Sequence, residues 1–302
     1  MKFRILISLL LVLSLFAVTA TAADTLYKPF VLASVNDGTL EDATDATVKA
    51  LKGAGFEIAG QYAPVEGTNI IVATNDAMKV FAGRTDRGGY AAGQRVSISE
   101  ADGTIEVAYI NPVYIQHAYR VDGDMQPIFD SLSSALGMVR ECGGGKKKMT
   151  AKKLGKYHYM MGMQYFDDPY ELGSFDSHEA AVAAVEKGLA RPDDALSQVY
   201  RIDIPGTDQT VFGVGMIKSN EDENNFDSTF QMEVVDFEGC KKRAYFPYEV
   251  LVQGNDIEAL HMRFRMAVHF PNLSMMGGHG FTKLMGTVSA IKDALEGMVN
   301  AE

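Results

Sequence analysis

The chain has 302 residues, of which 47% are hydrophobic, 22% charged and 10% aromatic, and its 28 basic and 39 acidic side chains leave a formal charge of −11. These proportions exclude a disordered chain, a collagen, a multi-span membrane protein and a small disulfide scaffold. So acidic a chain repels phosphate backbones and anionic lipid heads, which excludes nucleic acid as an expected partner.

Residues 1–22 read as an export leader. Lys2 and Arg4 make a short cationic start, residues 5–18 are nearly all apolar, and Ala20-Thr21-Ala22 supplies a small-x-small cleavage pattern. The apolar run is shorter than the roughly 20 residues that cross a bilayer, so no membrane association is expected after cleavage. The mature chain, starting near Ala23 or Asp24, is expected in the bacterial periplasm or outside the cell. In that oxidising setting Cys142 and Cys240 are candidates for one structural disulfide, the alternative being two separate buried thiols.

Along the mature chain, Thr39 can cap a helix whose apolar positions Leu40, Ala43, Val48, Leu51 and Ala54 recur at three- and four-residue steps. A turn at residues 64–68 leads to a strand at 69–74. Residues 95–110 read as a hairpin, with Val96 and Ile98 alternating before Ala101-Asp102-Gly103 and Ile105, Val107 and Tyr109 after it. A second amphipathic helix is expected at about 126–140.

The same order recurs later. Asp176 or Ser177 caps an alanine- and valine-rich helix, a strand at 199–204 meets the turn Pro205-Gly206-Thr207, and a strand at 210–217 follows. Residues 244–248 echo 108–112, and a terminal helix carries Leu284, Val288, Ile291, Leu295 and Met298 on one stripe. Two copies of one supersecondary unit imply duplication. Between them, Gly143-Gly144-Gly145 and the lysines to Lys156 read as a flexible, solvated linker.

The stretch 27–140 resembles the domain of unknown function 302 family, above all in RVSISEADGTIEVAYINPVYI (residues 95–115), with VKALKGAGFEIAG (residues 48–60) in support. The resemblance implies a compact α+β domain, helices packed on an antiparallel sheet, often dimeric and without established catalytic residues. The expected fold is therefore α+β, as tandem duplicated two-layer domains at 24–141 and 157–302 joined by a linker at 142–156. Their shared groove is the default ligand site.

Three constellations bear on chemistry. Alternation over residues 261–270 predicts a strand with Met262, Phe264, Met266, Val268 and Phe270 on one face and His261, Arg263, Arg265 and His269 on the other. The guanidinium forks of Arg263 and Arg265, with His261, suit a carboxylate or phosphate, the alternative being a solvated strand paired with carboxylates. His279, in a glycine-flanked segment before the last helix, joins these as a ligand-binding candidate. Met/His clusters make a third: His158, Met160 and Met163; Met266 and His269; Met275 and Met276. Thioethers and imidazoles suit copper(I), and a haem would take histidine or methionine on iron, against the simpler reading that methionines fill a core. In residues 157–165 alternation places Tyr157, Tyr159, Met161, Met163 and Tyr165 on one face, as in a strand.

Neither a GxSxG elbow nor a serine or cysteine arranged with histidine and a carboxylate supports catalysis. The expectation is a secreted, non-enzymatic binding protein with an anionic small molecule between its lobes. The alternatives are a haem or copper carrier, and a structural protein that assembles as a homo-oligomer or with another periplasmic protein.

Overall fold

The computed structural model describes residues 24–191, 195–217 and 225–300, within which the chain builds two antiparallel sheets. The leader read at residues 1–22 lies outside the described residues. The first lobe runs β1 (Phe30–Asn36), α1 (Leu40–Gly53), β2 (Glu57–Tyr62), β3 (Thr68–Thr74), α2 (Asp76–Ala82), β4 (Gln94–Ala101), β5 (Thr104–Ile110), α3 (Pro112–Ala118), α4 (Gln126–Leu136) and β6 (Arg140–Cys142). After a helical turn, α5 (Ala151–Leu154), the second runs β7 (Tyr170–Ser174), α6 (His178–Leu189), β8 (Leu196–Ile204), β9 (Gln209–Met216), α7 (Ser228–Val235), β10 (Tyr248–Gln253), β11 (Asp256–Ala259), α8 (Met262–His269) and α9 (Met285–Val299).

Local chemistry sets many of these boundaries. The Thr39 hydroxyl accepts from the Asp42 amide at 3.1 Å, and Glu41 and Asp42 add negative charge at the positive end of α1. Ser177 caps α6 in the same way, accepting from the Ala180 amide. Between β4 and β5, Asp102 and Gly103 both take positive φ, 50° and 84°, the condition for the tight turn that matches strand twist.

The sheets have orders β2-β3-β4-β5-β1-β6 and β7-β11-β10-β9-β8. Read from its other edge, the second is β8-β9-β10-β11-β7, which matches the first strand for strand and leaves β6 as an addition. The correspondence reaches details. A bulge at Ile58/Gly60 in β2 has its counterpart at Gln198/Tyr200 in β8, and 3-10 turns at Gly88–Ala91 and Arg243–Tyr245 precede β4 and β10.

The lobes meet as an isologous dimer would. The outer face of the first sheet buries Val31, Ile71, Val96, Ile98 and Val107 against Leu51 of α1 and Leu132 of α4. Its inner face, with Phe30, Leu32, Ile70 and Val72, belongs to a core shared with the second lobe. Each 3-10 turn packs on the other lobe's strands, and β2 lies against β8. Gly60 makes that approach possible, because a Cβ there would collide with the Val199 carbonyl. Two equivalent carboxylates reach across: Glu258 of β11 binds Arg87, and Glu106 of β5 accepts from the Lys241 amide at 2.7 Å.

Four local expectations need correction. The helix expected at 126–140 ends at Leu136, because Val139 donates to the Leu32 carbonyl and the chain turns into β6. The echo between 244–248 and 108–112 joins non-equivalent places, since the first leads into β10 and the second spans the end of β5 and the start of α3. The linker holds α5 and buries Met149 and Leu154, with Tyr27 donating to the Met149 carbonyl, so apolar anchors override its glycines and lysines. Residues 157–165 form no strand: Met161 is 93% exposed and the segment is turns.

Cys142 and Cys240 are bonded across the lobes, with Cα atoms 6.4 Å apart and a sequence separation of 98. Closing so long a loop removes entropy mainly from the unfolded chain. Replacing both cysteines by serine is expected to lower unfolding free energy by about 4–5 kcal/mol, read as a lower urea midpoint at unchanged far-ultraviolet circular dichroism.

Candidate functional site

The residues expected to form a cationic strand face instead form helix α8. The ring of His261 accepts from the Arg263 amide at 3.2 Å and caps the first turn. From Met262 onward only Arg263 is not fully buried, so apolar residues fit both a two-residue and a helical period. The cationic set is thereby split. His261 packs at a tilt on Tyr170, with ring centroids 4.2 Å apart, while Arg265 and His269 are wholly inside. His279 stacks on Phe237 at 4.3 Å and donates from Nδ1 to the Val234 carbonyl, beside a cavity of about 290 Å³ that also includes Arg243, Asp236 and Glu66. No single anion site unites the four.

What α8 brings inside is a polar cluster between the sheets. Arg95 of β4 donates from a terminal nitrogen to Glu249 Oε2 of β10 at 2.6 Å, both side chains being almost without solvent exposure. Its other terminal nitrogen donates to His269 Nε2 at 3.2 Å, and His269 Nδ1 donates to the Arg265 carbonyl at 2.8 Å. Those partners require the neutral Nδ1–H tautomer. Burial, reinforced by Arg95 and Arg265, holds His269 well below the ordinary histidine range. Arg265 donates to the carbonyls of Tyr245 and Pro247 at 2.6 and 2.5 Å, lies 4.0 Å from the Tyr245 ring centroid, and has its Nε 3.7 Å from Glu249 Oε2. The Tyr200 hydroxyl completes Glu249 at 3.1 Å. Two guanidinium groups thus share one carboxylate, and the surplus charge is spread over carbonyls and aromatic faces.

This seam leads outward through Tyr90. Its ring meets Tyr119 edge-on, and its hydroxyl donates to Glu258 Oε1 at 3.3 Å. Arg87, at the start of the 3-10 turn, donates from Nε to both Glu258 oxygens at 2.8 and 2.9 Å. Its backbone is left-handed at φ 60°, a strain of about 1–2 kcal/mol for a non-glycine residue. The Arg87 amide is held there by Gln253 Oε1 of the other lobe at 2.7 Å. Around this pair opens a cleft of about 510 Å³. Register places Asp256 opposite Ser174 and Glu258 opposite Glu171, so three carboxylates share the floor and Arg87 covers it from the first lobe. Burial raises Glu258 above the usual carboxylate range against the pull of Arg87. Neither terminal nitrogen of Arg87 bonds another described residue, which leaves its fork at the cleft.

Sequence reasoning missed Arg87, Glu258, Arg95 and Glu249. The available signal was a charged residue at an inward position of a strand: Arg95 beside Ser97 and Ser99, Glu249 between Tyr248 and Val250. Among the metal candidates, Met266 and His269 lie in the core, and both ring nitrogens of His269 are engaged, which removes it as a copper or haem ligand. His158, Met160 and Met163 share one surface loop. Met275 is partly buried against the core and Met276 is 78% exposed in a second loop. Among the described residues, no group of three or more histidine, cysteine, aspartate or glutamate side chains is placed to hold a metal, and no helix is long and apolar enough to cross a membrane.

Comparison with known protein families, curated proteins and solved structures finds no match.

Replacing Glu249 by glutamine leaves two buried guanidinium groups without a counter-charge, and is expected to reduce unfolding free energy by about 3–5 kcal/mol in urea titrations. The histidines give a pH signature. Burial, then Arg263, pushes His261 down to about 4, and His269 is also lowered, so the unfolded chain binds protons first as pH falls below 6.5. Stability is full above that pH and declines below it, with a limiting slope of about 1.4 kcal/mol per pH unit per histidine. His261, only partly buried, supplies the smaller share. A shallower fall between pH 6.5 and 5 in His269→Gln, measured by urea midpoints, is the expected check.

Proposed function

We propose that this chain is an exported, non-catalytic binding protein whose ligand is a small organic cation held between its lobes. The observation that carries this reading is the cleft at Arg87 and Glu258, to which both halves contribute and whose floor presents Glu171 and Asp256 in addition to the paired Glu258. Three carboxylates against one guanidinium favour an ammonium or guanidinium group over the anion expected from the sequence. With Glu258 occupied by Arg87, Glu171 and Asp256 are the groups that meet the cation. The Arg87 fork suits a carboxylate on the same molecule, so an amino acid with a cationic side chain complements the charged groups of the cleft.

Export is supported by the leader pattern at residues 1–22, and the family resemblance supports an origin in paired domains of the kind described. The lobes share one core, a buried ion pair and a disulfide, so the cleft is pre-formed and binding proceeds without hinge closure.

Thermal denaturation with arginine, lysine and spermidine tests the reading, with citrate and phosphate as opposing probes. The expected result is a rise of several degrees with at least one cation, absent in the double variant Glu171→Gln, Asp256→Asn, whose own melting temperature stays near that of the parent. Small-angle scattering should show no change in dimensions on binding. Stabilisation by the anions alone, or by cations equally in the double variant, overturns the proposal.

A further inference from the structure

We propose that the loop at residues 158–163 is a separate binding site for a soft monovalent metal ion, copper(I) in the oxidation state that thioethers favour. The loop is built rather than loose. Met160, Met161, Gly162 and Met163 form a turn closed by the Met163 amide donating to the Met160 carbonyl at 3.0 Å, with Gly162 at φ 83°, the left-handed value that its third position requires. The same Met160 carbonyl accepts from His158 Nδ1 at 2.8 Å. Tyr165 stacks on the imidazole at 4.3 Å, and the next residue, Tyr159, is anchored through its hydroxyl to the Leu273 carbonyl at 2.8 Å.

The carbonyl bond has a chemical consequence. A carbonyl only accepts, so Nδ1 carries a proton, and in the neutral ring the lone pair lies on Nε2, which bonds no other described residue. A histidine whose distal N–H is tied to a backbone carbonyl is the arrangement that orients imidazole for a metal. Three methionines, Met160, Met161 and Met163, share its loop within a single turn. Met160 is 46% and Met161 93% exposed, so core filling does not account for them; Met163 is partly buried against the core and fixes the turn's base.

Ligand type selects the metal. One imidazole and thioethers, with no carboxylate in the set, match a soft ion that accepts two to four ligands and disfavour calcium, magnesium and zinc. Both cysteines of the chain are bonded to each other, so thiolates do not compete for it. The second methionine pair, Met275 and Met276, lies in the 274–280 segment near the Tyr159 anchor but is not needed to complete the set.

The test uses the full mature protein labelled with carbon-13 at methionine methyl groups, titrated with silver(I) as a redox-inert substitute and then with copper(I) under anaerobic competition by a chromogenic chelator. One equivalent is expected to shift the methyl signals of Met160, Met161 and Met163 and to leave that of Met266 unmoved. The variant His158→Ala, Met160→Leu, Met163→Leu, confined to the loop, is expected to bind at least 100-fold more weakly with an unchanged circular dichroism spectrum. Methyl shifts confined to Met275 and Met276, or wild-type affinity in the loop variant, overturn the proposal. Retained silver(I) binding in Glu171→Gln, Asp256→Asn separates this site from the organic-cation cleft, so either can fail alone.

Discussion

The fold rests on a charge placed where water cannot reach it. Arg95 from one lobe meets Glu249 from the other at 2.6 Å, with His269 as a neutral third partner and Arg265 as a second cation beside the same carboxylate. Such a cluster adds little net stability relative to an apolar core, because desolvation offsets the attraction. Its effect is on register. Apolar faces slide over one another at small cost, whereas the terminal nitrogens of Arg95 meet Glu249 and His269 in only one placement. The lobes are therefore held in a single orientation, and the open cleft at their edge has a defined shape.

A repeated strand order sets the frame, and departures from it set the charges at the cleft. Matching strand orders, matching bulges and reciprocal 3-10 turns give the molecule the layout of a two-fold dimer within one chain. Glu106 and Glu258 keep equivalent positions, yet one meets a backbone amide and the other a guanidinium. The second carboxylate stands beside further acidic side chains, Glu171 of the edge strand β7 and Asp256 of its own strand. The addition of β6 and the disulfide at its end likewise belongs to one side alone, tying the first sheet to the loop before β10. A pseudo-symmetric body thus carries one asymmetric cleft.

Two surface features remain distinct in this picture. The cleft is a product of the lobe interface and its groups are charged oxygens and a guanidinium. The methionine turn belongs to one loop and its groups are sulfur and nitrogen. Hard and soft donors are thus segregated, so the ligand proposed for each differs in chemistry from the ligand proposed for the other.

Read alone, the residues already carried the α+β class, the recurring order of helix and strands, the cap at Thr39, a cap at Asp176 or Ser177 and the Asp102-Gly103 turn, because each depends on neighbours a few positions away. Local signals failed at 261–270, where a helix buried on all sides satisfies a two-residue alternation as readily as its own period, and at 157–165, where alternating tyrosines and methionines mark a turn. The cluster of Arg95, Glu249, Arg265 and His269 and the pairing of Arg87 with Glu258 were beyond such signals. Partners 154 to 174 positions apart are chosen by the packing of one sheet on another. Which charge is buried, and against what, is settled only when the two lobes close.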